Sequence, residues 1–268
     1  MKNRFFFFVF VLCCFWTSLN AATKTCFLVS EKGHIIHQEG LCDQRHPPCS
    51  TFKIAIALMG YNEGILKDDT TPEWSFKKEY VAWRQSWKAP HNPLTWMENS
   101  CLWYSQQVTT RLGFQKFKNY LKSFSYGNQD GAGDKGKNNG LMQAWLSSSL
   151  RISPLEQLVF LEKLIANQLP VSEDAHQKAC RILRLGSLPN GWDLYGRTAS
   201  GYGTNENGLR SKKRSVHWFV GWIRKGNRKI VFVYFGESPH SPHFTDGRKR
   251  KETVQKKLEE ILKRLPSN

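Results

Sequence analysis

Ser50-Thr51-Phe52-Lys53-Ile54-Ala55-Ile56-Ala57-Leu58-Met59-Gly60-Tyr61 is apolar almost throughout and holds no helix breaker before Gly60. Such a run predicts a buried helix. It opens with a hydroxyl and an amine three residues apart. Three residues are nearly one helical turn, so Ser50 and Lys53 face the same way. A serine hydroxyl is a weak nucleophile until a base takes its proton. A lysine can be that base only when its pKa is depressed, and burial among apolar neighbours such as Phe52 and Ile54 does this. The pair alone is common, and without its context it reads equally well as a helix start with a solvated lysine.

On the amino-terminal side, Cys26 to Ser30 and His34 to Gln38 are short apolar runs separated by Glu31-Lys32-Gly33, which predicts a β-hairpin. On the carboxy-terminal side the middle third is mainly helical. Ser153-Pro154-Leu155-Glu156 is a capping box with proline at the first helical position, opening a helix to about Asn167. A second helix starts after Ser172, where Glu173 and Asp174 suit the positive end of the helix dipole. Gly127 to Gly140 is polar and glycine-rich and reads as a loop without a phosphate-binding pattern. Strand character returns at Trp192 to Thr198. His217 to Arg224 and Lys229 to Phe235 then flank Lys225-Gly226-Asn227 as a second hairpin. Val254, Leu258, Ile261, Leu262 and Leu265 fall on one helical stripe. Strands at both ends and helices between them predict an α/β (α+β) fold, with an antiparallel sheet built from both chain ends and an all-helical lobe inserted over roughly residues 62–185.

The extreme amino terminus reads as a secretory signal peptide over residues 1–22: Lys2 and Arg4, an apolar run from Phe5 to Trp16, then Ser18, Asn20, Ala21 and Ala22. The run is short for a membrane span, although a retained anchor is the alternative. The rest of the chain then lies outside the cytosol, in the periplasm, and off the membrane. That placement changes the meaning of the net charge of +17. In a cytosolic protein it suggests nucleic acid, whereas in an exported one it suggests an acidic envelope surface, an anionic small substrate or simply a solvated basic face. No nucleic-acid partner is expected. Of seven cysteines, Cys13 and Cys14 leave with the leader, and the five others fit no zinc spacing. One disulfide among Cys26, Cys42 and Cys49 is compatible with an oxidising compartment, and the sequence does not choose the pair.

Six segments together resemble the class D, oxacillinase-type, serine β-lactamases, over nearly the whole chain after the leader. Ser50-Thr51-Phe52-Lys53 looks like their first motif and Ser100-Cys101-Leu102 like the second, with leucine in place of the usual valine. Tyr126-Gly127-Asn128 matches the third. Trp145, ahead of Leu150-Arg151-Ile152-Ser153, matches the tryptophan beside the catalytic lysine. Arg197-Thr198-Ala199 occupies the place of lysine-threonine-glycine, and Arg250-Lys251-Glu252 resembles the late arginine segment. Class A shares only the first motif. Its serine-aspartate-asparagine, and its glutamate followed four residues on by asparagine, are absent.

The resemblance implies a β-lactamase/transpeptidase-like fold over residues 23–268 and a serine acyl-enzyme mechanism. It makes Ser50 the nucleophile and Lys53 the base. No metal or organic cofactor is implied beyond carbon dioxide, bound as a carbamate on Lys53 and held by the indole N–H of Trp145. Ser100 is the proton carrier to the leaving nitrogen. The backbone N–H groups of Ser50 and Ser200 form the oxyanion site. Thr198 and Arg250 bind the substrate carboxylate, with Arg197 supplying charge, and Leu102 is an apolar wall. Tyr126 and Asn128 shape their loop, and His217 is read as a plain strand residue facing core or solvent. Two departures bear on rate. Arg197 is bulkier than lysine and cannot lose its proton, and Ala199 adds a methyl group where glycine permits close backbone approach. They favour, as the alternative function, a penicillin-binding or sensing protein acylated at Ser50 without efficient turnover. A third reading is an exported basic protein that binds cell-wall polyanions. The chain is expected to act as a monomer or homodimer.

Overall fold

The computed structural model describes residues 24–205, 207, 209–240 and 247–265, without the side chains of Asn190 and of residues 247–250. The leader and its cleavage site lie outside the described residues. Among these residues six strands form one antiparallel sheet in the order β2-β1-β6-β5-β4-β3. β1 (Lys24–Glu31) and β2 (His34–Gly40) come from the amino-terminal end. β3 (Arg184–Leu188), β4 (Trp192–Thr204), β5 (Arg210–Lys225) and β6 (Arg228–Ser238) come from the carboxy-terminal part. β1 closes the two groups by pairing with β6 from Lys24 opposite Glu237 to Glu31 opposite Ile230. Between them run α1 (Lys53–Asn62), α2 (Pro93–Asn99), α3 (Leu102–Leu112), α4 (Phe114–Ser123), α5 (Gly140–Gln143), α6 (Pro154–Ile165) and α7 (Glu173–Arg181), and α8 (Gly247–Arg264) ends the chain.

The alternation of side chains across each strand splits the core into two layers. Tyr195, Ala199, Trp218, Val220, Trp222 and Phe235 face the helical block, where they join the buried residues of α1, α3 and α6. Trp192, Leu194, Phe219, Ile223 and Phe232 face the other way, onto Val254 and Leu258 of α8. β5 is therefore buried continuously from Ser215 to Ile223. α1 is buried from Lys53 to Tyr61, which accounts for its lack of a polar stripe.

The hairpins, the closing helix and the Ser153 and Ser172 caps stand where the sequence places them. Three differences have physical causes. β4 runs on to Thr204, because backbone pairing with β5 continues past Thr198 through a stretch of alanine, serine and glycine that carries no hydrophobic alternation. β5 starts seven residues before His217, in a basic stretch whose polarity hides its strand character. β3 is a five-residue edge strand bearing Arg184, Gly186 and Ser187, which gives it no apolar pattern. Of the three candidate cysteines, Cys26 and Cys42 form the disulfide, with Cα atoms 5.2 Å apart.

Candidate active site

The nucleophile candidate sits on a 3₁₀ turn, Cys49–Phe52, which runs directly into α1. Cys49 has a positive φ of 49°, a conformation costly for a side chain and held here by its surroundings. Its backbone N–H donates to the Trp145 carbonyl at 3.0 Å, and its buried Sγ lies where a Cβ on Gly201 would meet it at 2.4 Å. Glycine at 201 therefore allows β4 to lie against the turn that carries Ser50. Ser100 is the left-handed C-cap of α2, with φ 53° and ψ 36°, so its side chain is turned out of the helix toward the same point. Lys53 Nζ donates to Ser50 Oγ at 3.4 Å and Ser100 Oγ donates to it at 3.2 Å.

Lys53 is 1% exposed. Burial, then the positive charge of Arg197, lowers its pKa from 10.5 to about 7. The buried thiols of Cys49 and Cys101 lie close enough to act on it, but burial pushes both up to about 12, so neither supplies a negative charge at neutral pH. No carboxylate pairs with Lys53 among the described residues. Trp145 is fully buried, tilted against Phe52 at 5.6 Å between ring centres, and its indole N–H has no hydrogen-bond partner among the described residues. A buried indole N–H ordinarily finds one.

β4 forms the opposite wall. Arg197, Thr198, Ala199 and Ser200 line a cleft of about 820 Å³ together with Ser50 and Ser100, a volume suited to a small organic ligand. Arg197 is 6% exposed and donates from Nη1 to the Met97 carbonyl near the end of α2, and its Nε has no partner among the described residues. Burial, then Arg84, lowers its pKa to about 10, so it remains charged near neutral pH. Ser200 lies opposite His217 on the face toward α8, where His217 Nδ1 contacts Ser200 Oγ at 3.1 Å and Nε2 contacts Ser215 Oγ at 3.0 Å. Leu102 is buried at the start of α3. The side chain of Arg250 lies outside the described residues, and its neighbour Lys251 lines the cleft.

Tyr126 is fully buried and donates to Gln157 Oε1 at 3.1 Å, and Asn128 ties Ser149 and Arg151 together. At Gly127, with φ +54°, a Cβ would meet the Arg151 carbonyl oxygen at 1.9 Å. These three residues hold the loop in shape and stand apart from the cleft lining. Sequence reading missed the wall beside α2. Trp83, Arg84 and Trp87, from an irregular segment without periodicity to mark them, line the cleft there with Glu98 of α2. Among the described residues no group of His, Cys, Asp or Glu could hold a metal ion, and no helix is long and apolar enough to cross a membrane.

Residues 20–259 match the family described as the penicillin binding protein transpeptidase domain. The chain is 38% identical to β-lactamase OXA-9 of Klebsiella pneumoniae over 243 residues, which cover 90% of this chain and 89% of that protein. It is 41% identical to β-lactamase OXA-1 of Escherichia coli over 219 residues, covering 79% and 75%. The crystal structure of the OXA-427 class D β-lactamase superposes with a TM-score of 0.81 at 38% identity, covering 88% of this chain and 99% of that one. The chain belongs to the class D β-lactamases, serine hydrolases built on the transpeptidase fold of penicillin-binding proteins.

Proposed function

We propose that the chain hydrolyses the β-lactam ring of penicillin-type antibiotics through an acyl-enzyme on Ser50, giving resistance, and that it works in the periplasm after loss of residues 1–22. One observation carries the reading: the Ser50 hydroxyl lies between the Lys53 amine and the Ser100 hydroxyl in the cleft. Lys53 has a substantial uncharged fraction near pH 7 and takes the Ser50 proton. Ser50 Oγ attacks the lactam carbonyl, the ring C–N bond breaks, and Ser100 passes a proton to the departing nitrogen and regains one from the Lys53 ammonium. Lys53 then takes a proton from the water that attacks the ester and releases Ser50. The backbone N–H groups of Ser50 and Ser200 donate to the oxyanion, an effect of roughly 3–4 kcal/mol per donor in other enzymes. Thr198 and Arg250 bind the substrate carboxylate. Arg197 acts through its charge, because its guanidinium is engaged with Met97. Leu102 keeps the wall beside the lysine apolar.

The pocket fits carbon dioxide as the one cofactor. A buried amine that is partly uncharged near pH 7 and an indole N–H without an acceptor among the described residues suit a carbamate on Lys53 held by Trp145. When bound there, it supplies an anionic base in place of the amine.

Intact-mass measurement of the purified protein with benzylpenicillin, with and without bicarbonate, tests the reading. An adduct on Ser50 that forms and decays while the antibiotic is consumed, faster with bicarbonate, is expected. No adduct, or unchanged turnover in Lys53→Ala, rejects it. The buried methyl of Ala199 on the cleft wall supports a second reading, a penicillin-binding or sensing protein. That reading predicts an adduct that persists without turnover.

A further inference from the structure

The cleft carries positive charge on both walls. On the sheet side Arg197 and Lys251 line the cleft with Thr198, the residue proposed above to hold the substrate carboxylate. On the α2 side stands Arg84, which the serine chemistry does not use. Its backbone is fixed at the start of a 3₁₀ turn, Gln85–Trp87. Trp87 pins that turn: its indole N–H donates to the Asn99 carbonyl at 2.9 Å, one residue before Ser100, and its carbonyl accepts from the Trp103 indole at 2.8 Å.

The Arg84 side chain is exposed to the cleft and makes no hydrogen bond or ion pair among the described residues. Glu98 lines the same cleft, and no ion pair between it and Arg84 is found among the described residues. Arg84 lines the same cleft as Ser50 and Ser100. Beside it Trp83 is 67% exposed and tilted against Trp87 with ring centres 5.5 Å apart, a platform for an aromatic ring. An unpaired guanidinium next to an exposed indole matches a ligand that carries an anionic group and an aryl group together.

We propose that Arg84 is a specificity-determining residue that favours β-lactams bearing a second anionic group on the acylamino side chain. The inference rests on the proposed β-lactam chemistry. Benzylpenicillin and carbenicillin form a matched pair of probes, because they differ by one carboxylate on the benzylic carbon. An exposed ion pair has limited strength, so the selectivity is moderate rather than absolute.

The readout is the ratio of kcat/KM for carbenicillin to that for benzylpenicillin, measured on the purified protein. Arg84→Gln lowers the ratio about fivefold, the upper end for an exposed pair. Arg84→Lys keeps most of it, and Arg84→Glu lowers it further. The ratio falls as sodium chloride is raised, more steeply in the wild type than in Arg84→Gln. A role confined to folding shifts both penicillins together and leaves the ratio alone. An equal ratio in wild type, Arg84→Gln and Arg84→Glu overturns the assignment. If the enzyme acylates without turnover, the same ratio is read from acylation rates by mass. If neither penicillin labels Ser50, the β-lactam chemistry and the Arg84 assignment fall together. Labelling with an unchanged ratio removes Arg84 alone.

Discussion

At Lys53 two effects act in the same direction: burial and the neighbouring Arg197 charge both disfavour the ammonium form. With a pKa near 7, about nine-tenths of the amine is neutral at pH 8 and about one-tenth at pH 6. Only the neutral form can add carbon dioxide. Uptake of ¹³C-labelled carbon dioxide, followed by NMR at a fixed concentration of dissolved gas, should therefore be strong at pH 8 and fall steeply by pH 6. Trp145→Phe keeps the apolar bulk and removes the indole N–H, so a buried carbamate would lose its donor. That variant should lose most of the signal at pH 8 while the protein stays folded by near-ultraviolet circular dichroism. A signal unchanged in Trp145→Phe, or unchanged between the two pH values, contradicts the fit. The burial of Lys53 beside Ser50 was legible because the two lie a turn apart in an apolar run. The unpaired indole N–H of Trp145 and the closeness of the Cys49 and Cys101 thiols to the lysine were not legible, because tertiary packing alone brings them there.

The elements differ in how openly they declare themselves. α6 begins with Ser153 Oγ accepting from Glu156 N at 3.2 Å and Glu156 Oε2 accepting from Ser153 N at 2.9 Å, with Pro154 at the first helical position. Each of these groups is local, so four residues of sequence contain the whole argument. Ser153→Ala removes one half of the box and should lower unfolding free energy by about 1 kcal/mol, read as a shift in urea midpoint at constant slope. No shift would mean that the Arg45 pair with Glu156, at 3.0 Å, already holds the helix start. β4 is the opposite case. Its second half, from Ala199 to Thr204, is held by register with β5 and by the close approach of Gly201 to Cys49. Both are non-local, so the sequence reading of the strand stops at Thr198. The wall of Trp83, Arg84 and Trp87 was hidden for a related reason: a loop pinned by indole-to-carbonyl bonds has no period.

Across the whole molecule, the sheet and the helical lobe are stitched together where the chain passes from β2 to α1. His46 lies in that passage. Its backbone forms an isolated antiparallel bridge with Ile152, just ahead of α6, and its ring stacks on Phe235 of β6 with centres 3.9 Å apart. It is 8% exposed, and burial, then the charges of Lys24 and Arg151, lowers its pKa from 6.5 to about 4. The folded state therefore keeps His46 neutral over a range in which the unfolded chain protonates it. Between pH 6.5 and about 4 the unfolded state binds the extra proton, so stability is intact above 6.5 and is lost as pH falls through that window. A shift of this size corresponds to about 3 kcal/mol across the window. His46→Phe keeps an aromatic ring against Phe235 and removes the titration. Denaturant unfolding at pH 7, 5.5 and 4.5 should show the wild type losing more stability than His46→Phe, with the gap opening below pH 6.5. Parallel stability losses in the two proteins would mean that acid acts on the fold through other groups, and that the junction between sheet and lobe does not depend on a neutral imidazole.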